Sequence, residues 1–225
     1  MAEFPASPLS PAEFLEQWLP RAFAEADIPD EARNVDLQVG VCLHGDAGGE
    51  WVFEVTAGVL AVLPGSRDEC AFTFVQTVDD WRGALWEGRG GAIGRQSVAL
   101  FKPGSQPAAA APGQMGPGPP NAAALEEMRK LDGVIRMCVT GAEGGDWAVG
   151  FKLGPGPIPE EPTTIVSITA EDAAALESGE LDPMQAFMGG KLQVQGDMTL
   201  MMQMQAIQMQ AAAAAAAPPP ASEES

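Results

Sequence analysis

The feature that most constrains this chain is that it repeats itself. Shifted by 96 residues, DLQVGVCLHGDAGGEWVFEVTAG (36–58) lies over DGVIRMCVTGAEGGDWAVGFKLG (132–154) without a gap. Seven of the 23 aligned positions are identical: Asp36/Asp132, Cys42/Cys138, Gly45/Gly141, Gly48/Gly144, Gly49/Gly145, Trp51/Trp147 and Gly58/Gly154. Further on, a shift of 91 lays FTFVQTVDDWRGALWEG (72–88) over TTIVSITAEDAAALESG (163–179), pairing Ala84 with Ala175, Leu85 with Leu176 and Gly88 with Gly179. The change of offset falls in the Pro/Gly-rich stretches 63–69 and 155–162, where insertions cost little. The pattern reads as an internal duplication.

Each copy predicts the same elements. In the first, Leu37, Val39, Val41 and Leu43 alternate, a Gly-rich turn follows, and Trp51, Phe53 and Val55 alternate again, the signature of a hairpin. In the second, both faces of 134–139 are apolar, which predicts a central strand. Val59–Leu63 predicts a third strand in copy one, whereas the prolines of 154–162 exclude one in copy two. A strand and short helix follow in each, Cys70–Thr77 with Asp79–Trp86 and Thr163–Thr169 with Ala170–Glu177, stopped at Gly88 and Gly179. Ahead of copy one, Ser10-Pro11-Ala12-Glu13 forms a capping box, opening a helix whose apolar face is Phe14, Leu15, Trp18, Leu19, Ala22 and Phe23, with a kink expected at Pro20. The organisation expected is one repeat over 1–102, a Pro/Gly/Ala linker over 103–121, a second repeat over 122–210 and a low-complexity tail over 211–225, whose alanines extend the preceding helix until Pro218.

The segment 165–209 carries most of the functional information. Asp182-Pro183 starts a helix that Gly189-Gly190 stops; Lys191–Gln195 alternates as a strand; Gly196-Asp197 turns into a last helix bearing Met198, Leu200, Met201, Met202, Met204, Ile207 and Met209. A helix apolar nearly all round is expected to be buried, and its methionines conform to irregular shapes, so it serves either as plain core or as a ligand-facing wall. In order, Ser178-Gly179, Asp182-Pro183, Ala186-Phe187, Gly189-Gly190-Lys191-Leu192 and Gly196-Asp197 resemble the sterol carrier protein (SCP-type) lipid-binding domain. That resemblance, good over 122–209 and fair over 9–102, implies an α+β fold. Its mostly antiparallel sheet of about five strands would be covered on one face by helices, with a tunnel between for a fatty acyl chain, sterol or similar ligand. It implies ligand contacts at Phe187, Leu192, Met198, Met201, Met202, Met204 and Ile207, and no catalysis.

Each copy departs from the family. Copy one has GRGGAIGRQ (88–96) where copy two has GELDPMQAFMG, and it lacks the Met-rich helix; copy two lacks the third strand. Either one copy is degenerate or the two pack together and share one chamber; repeat–repeat packing within one chain or a homodimer would allow this. Intramolecular packing implies a pseudo-two-fold pairing that covers the apolar faces each missing element leaves bare.

Charge and composition exclude other classes. The chain has 31 acidic and 12 basic residues, a net charge of −19, and no Lys/Arg cluster, so the surface that nucleic acids or anionic membranes require is missing. No apolar run reaches membrane-spanning length, and the first residues carry no secretory signature; a cytoplasmic protein is expected. Three cysteines without a Cys-x-x-Cys pair suggest neither a disulfide framework nor a zinc site. Metal and cofactor sites are not expected: His44 is the sole histidine and reads as a turn residue, Cys42 and Cys138 as small buried groups, and Asp79-Asp80 and Glu171-Asp172 as helix-opening acids. Trp51 and Trp147 read as core; Trp81 and Trp86 either line a chamber or cover the contact between copies.

Overall fold

The computed structural model describes residues 2–27, 36–103 and 122–216. It contains one mixed sheet of eight strands: β1 (Leu37–His44), β2 (Gly49–Thr56), β3 (Val59–Pro64), β4 (Phe72–Thr77), β5 (Gly133–Thr140), β6 (Trp147–Leu153), β7 (Thr164–Thr169) and β8 (Leu192–Gly196). Seven helices are described. They are α1 (a π-helical Glu13–Trp18 turn continuing as Leu19–Glu25), α2 (Val78–Arg82, continuing as the π-turn Gly83–Glu87), α3 (Gly91–Ser97), α4 (Ala122–Met128), α5 (Ala170–Ser178), α6 (Pro183–Met188) and α7 (Met198–Ala216).

The strand order is β3-β2-β1-β4-β6-β5-β7-β8. Pairs β1–β4 and β5–β7 are parallel and the rest antiparallel. The expectation of five mostly antiparallel strands in each of two repeats is therefore corrected to a single mixed sheet. The seam between halves is the β4–β6 ladder, Phe72↔Leu153 to Val75↔Gly150. Read across the sheet, β6-β5-β7 repeats β2-β1-β4 in the same order and strand direction. A two-fold axis would reverse that order, so the pseudo-two-fold pairing is also corrected: the halves join head to tail through unlike edges. The physical reason lies in the missing elements. β4 takes the place beside β6 that β3 holds beside β2, and β6 takes the place beside β4 that β8 holds beside β7. Each half fills the other's gap with a hydrogen-bonded strand.

The helix starts follow their sequence signals. Ser10 Oγ donates to Glu13 Oε2 at 2.6 Å and accepts from the Glu13 N–H at 3.3 Å, completing the capping box. Thr77 and Thr169 accept from the N–H groups of Asp80 and Asp172, and Asp182 from those of Met184 and Gln185. Gly88 and Gly179 end α2 and α5 at φ of 74° and 77°, a left-handed conformation open to residues without a Cβ. A π-helical stretch lies directly upstream of Pro20; the wider turn accommodates the missing N–H donor. α3 was not anticipated. It fills the first half's 88–96 segment and packs near α5, where Arg95 pairs with Glu177. The linker beyond 103 and the tail beyond 216 lie outside the described residues; up to Ala216 the alanines do continue α7.

One core runs between the helices and one face of the sheet. Val39, Val41, Leu43, Phe72, Phe74, Ile135, Met137, Trp147, Val149, Phe151, Val166 and Ile168 point into it. In the first half it is aromatic: Phe14 lies tilted against Trp18 (4.6 Å) and edge-on to Trp81 (5.2 Å), and Trp86 closes the cluster. Trp81 is buried and Trp86 half-buried against Phe4 and Phe14 in the first half, beneath α1, and the helix that carries Trp81 also reaches β6. Trp51, buried as expected, donates to Glu16 and pins α1 to the sheet. Trp147 is the seam's anchor. It is 1% exposed and its Nε1 donates across the halves to the Asp80 carbonyl at 2.9 Å. Gly90 (φ 76°) makes room for it, since a Cβ there would lie 2.6 Å from the indole. Gln76 donates to the Ala148 carbonyl, Arg67 to that of Gly156 and Arg129 to that of Glu69, so polar bonds reinforce the ladder.

Candidate functional site

The expected ligand wall is α7 with β8 and α6. Asp197 opens α7 by accepting the Thr199 N–H at 2.7 Å; the Thr199 side chain first, and this N–H second, hold its carboxyl below the usual range. α7 then packs on α4, β5 and β7. It is not buried all round. Leu200, Met204 and Ile207, spaced i, i+4, i+7, form a buried stripe, with Leu200 Cδ2 pressed against Gly133. Met198 (42%), Met202 (56%) and Met209 (68%) face water. The expectation of an enclosed helix is corrected to a helix held along one edge.

The seven sequence-derived contacts therefore divide. Leu192, Met204 and Ile207 join the core and Met201 packs partly against it. Phe187 (42% exposed), Met198 and Met202 stand on the surface, along with Met184 and Met188 of α6. The structure brings Leu192, Met204 and Ile207 into one apolar cluster with Val166 and Ile168; it does not gather all seven around one cavity. Two hollows are described, and none of the seven lines either. One of about 410 Å³ lies between α4 and the near ends of β1 and β2, with Leu37, Val55, Ala71 and Leu125 as apolar surface and Asp36, Glu54, Glu126 and Arg129 at its polar parts. The other, about 210 Å³, lies over the seam on the face away from the helices. The sequence pattern marked neither, because both are built from residues distant in sequence.

The reactive side chains are quiet. Cys42 Sγ lies 3.7 Å from His44 Nε2 and 3.8 Å from Glu50 Oε1, an arrangement that superficially suggests a nucleophile and base. Burial, reinforced by the Glu50 charge, pushes the Cys42 thiol up to about 11; burial likewise takes Cys70 to about 11. A thiol protonated at neutral pH is a poor nucleophile. Among the described residues no group of three or more His, Cys, Asp or Glu side chains could hold a metal ion, and no helix is long and apolar enough to cross a membrane.

The last elements of the chain, from α4 through β5–β8 to α7, are the part that known proteins match. Residues 114–209 match the SCP-2 sterol transfer family. Similar proteins include hydroxysteroid dehydrogenase-like protein 2 of Xenopus tropicalis, 31% identical over 87 residues (36% of this chain, 21% of the relative). Another is sterol carrier protein 2 of Rattus norvegicus, 30% identical over 92 residues (38% and 17%). The chain thus spans about a fifth of the length of these curated relatives. Among solved structures, the sterol carrier protein domain 2 of Helicoverpa armigera is 31% identical, covering 39% of this chain and 74% of that one, with a TM-score of 0.28. The chain belongs, through residues 114–209, to the sterol carrier protein family.

Proposed function

We propose that residues 122–210 bind a hydrophobic small molecule, an acyl chain, sterol or similar lipid, between α7 and the second half of the sheet, and that the chain holds or transfers it without catalysing a reaction. The family match over 114–209 carries this reading, and the packing of α7 gives it a mechanism. The helix is held to the sheet by three buried side chains, Leu200, Met204 and Ile207, worth about 1.5–3 kcal/mol each. A lipid burying about a dozen methylenes gains on the order of 10 kcal/mol, enough to offset lifting that stripe. Flexible thioethers at 198, 201, 202 and 204 re-pack around differently shaped ligands at little cost. The surface methionines become ligand-facing once the helix shifts.

Supporting the wider proposal, the repeated strand order and direction, and the way each half supplies the strand the other lacks, fit a tandem duplication with boundaries at 1–102 and 122–210. The first half keeps the sheet and fills its helix side with Phe14, Trp18, Trp81 and Trp86, so the ligand falls to the second half. A second reading, an interaction module of a lipid- or quinone-handling assembly with its cavity filled, is favoured by one observation: Leu192, Met204 and Ile207 sit in closed core.

Methyl NMR of 13C-methionine protein separates the two. On adding a fatty acid, the first reading predicts shifts at Met201, Met202 and Met204, with Met128 of α4 following. Unchanged methionine methyls with any fatty acid, sterol or quinone leave the second reading.

A further inference from the structure

The seam hollow lies on the sheet face opposite the helices, and its floor and wall are held in place. Its floor is β6, where the side chains on this face are the two smallest available, Ala148 and Gly150. A Cβ on Gly150 would stand 3.3 Å from Val75 Cβ and 3.6 Å from Val134 Cγ1, so glycine here keeps open a depression between β4 and β5. The wall is the 158–162 loop, presenting Ile158, Pro159 and Pro162. Prolines fix φ and stiffen that wall. The loop's base is tied down: Lys152, fully buried, donates to the carbonyls of Leu153, Gly154 and Pro155 and to Asp132, while Arg67 grips the Gly156 carbonyl at 2.7 Å.

Among the described residues one arginine borders this hollow, whose lining also includes the polar side chains of His44, Gln76 and Thr77. Arg136, on β5, has no hydrogen bond or ion pair among the described residues. In a chain of net charge −19, other arginines and lysines are occupied: Arg67, Arg89, Arg95, Lys130, Lys152 and Lys191 all pair with carboxylates. An unclaimed guanidinium beside an apolar floor fits a ligand with one carboxylate and a short hydrophobic body. The acids at the rim set the charge limit. Asp80 is committed to Arg89 (3.4 Å) and Thr77 (2.9 Å), but Glu160 is exposed at the rim and repels a ligand with more than one negative charge. Volume sets the size: about 210 Å³ is below the range of drug-sized pockets, which suits a body of roughly six to ten heavy atoms.

We propose that this hollow binds a small monocarboxylate, short aliphatic or aromatic, with its carboxylate on Arg136 and its apolar part on the Gly150 floor. The site exists only because the two halves share one sheet, since β4 and β6 come from opposite halves. It is separate from the lipid site and stands or falls independently of it.

The test is a 1H–15N titration of the full chain with hexanoate and benzoate, against hexanamide, hexylammonium, acetate and inorganic phosphate. Expected is a Kd on the order of 0.1–1 mM for the two carboxylates, read from amide shifts at Val134, Ala148, Gly150 and Ile158. Arg136→Gln, an exposed substitution, weakens binding by about tenfold or more. Gly150→Ala, tight but tolerable, does the same by filling the floor. Four results overturn the proposal: hexanamide binding as well as hexanoate, acetate or phosphate shifting the same amides equally, shifts confined to α7, or no shift at ligand about tenfold above that Kd.

Discussion

Replacing Trp147 probes whether the two halves are one cooperative unit. The indole is buried at the seam, rests on Gly90 and donates to the Asp80 carbonyl of the other half at 2.9 Å. Trp147→Phe keeps the aromatic body but strips the N–H, leaving a carbonyl short of its partner at about 1–2 kcal/mol; the lost ring volume adds about 1 kcal/mol. The expected loss is about 2–3 kcal/mol, and for Trp147→Ala about 4–5 kcal/mol, a large part of the 5–15 kcal/mol typical of a domain. The chain has five tryptophans, and the other four, Trp18, Trp51, Trp81 and Trp86, all lie in the first half. In the variant, fluorescence therefore reports only the first half, while circular dichroism reports the whole. Urea unfolding should give coincident transitions by both probes, shifted together to lower denaturant. A fluorescence midpoint equal to wild type, with a separate earlier transition by circular dichroism, would refute the reasoning that the sheet couples the halves.

Residues 1–104 and 121–225 expressed separately should each aggregate or self-associate, since each exposes a bare strand edge (β4 or β6), and should regain a monodisperse complex when co-expressed; size-exclusion chromatography decides. Cysteine labelling followed by peptide mapping should modify the partly exposed Cys138 first, with Cys42 and Cys70 slow below pH 9 because burial holds both thiols near 11. The Asp197 cap has a depressed carboxyl pKa. It therefore stabilises α7 at neutral pH and is lost as the pH falls below the ordinary aspartate range, about 4. Hydrogen exchange in the first turn of α7 should accelerate there in the wild type but be already fast, and insensitive to pH-dependent capping, in Asp197→Ala.

Local elements were largely legible in the sequence because local rules govern them. The hairpins, the Ser10–Glu13 box, the Thr77, Thr169 and Asp182 caps, and the glycine stops fall where the residues indicate. The lack of a third strand in the second half was also readable, from prolines that cannot join a ladder. What the missing strand meant was not. Pairing of β4 with β6 is a contact between segments some 75 residues apart, and nothing in either strand's alternation names its neighbour. The helix face of α7 failed for a related reason. Met198, Met202, Met204 and Met209 are alike in the sequence, and only packing against Gly133 and α4 selects Leu200, Met204 and Ile207 as the buried edge. The seam hollow depends on two small side chains and an unpaired arginine meeting across the sheet, a coincidence without a linear motif.

The central claim is that the second half carries a hydrophobic ligand under α7. Native mass spectrometry of the purified full chain, followed by denaturing extraction of the same sample, tests it most directly. The account predicts a bound species of lipid mass at one per chain, or uptake of one equivalent of an added fatty acid, and loss of that species when Met202→Asp, at an exposed position of α7, places a charge where the ligand would lie. A chain that leaves purification empty and takes up no fatty acid, sterol or quinone would contradict it.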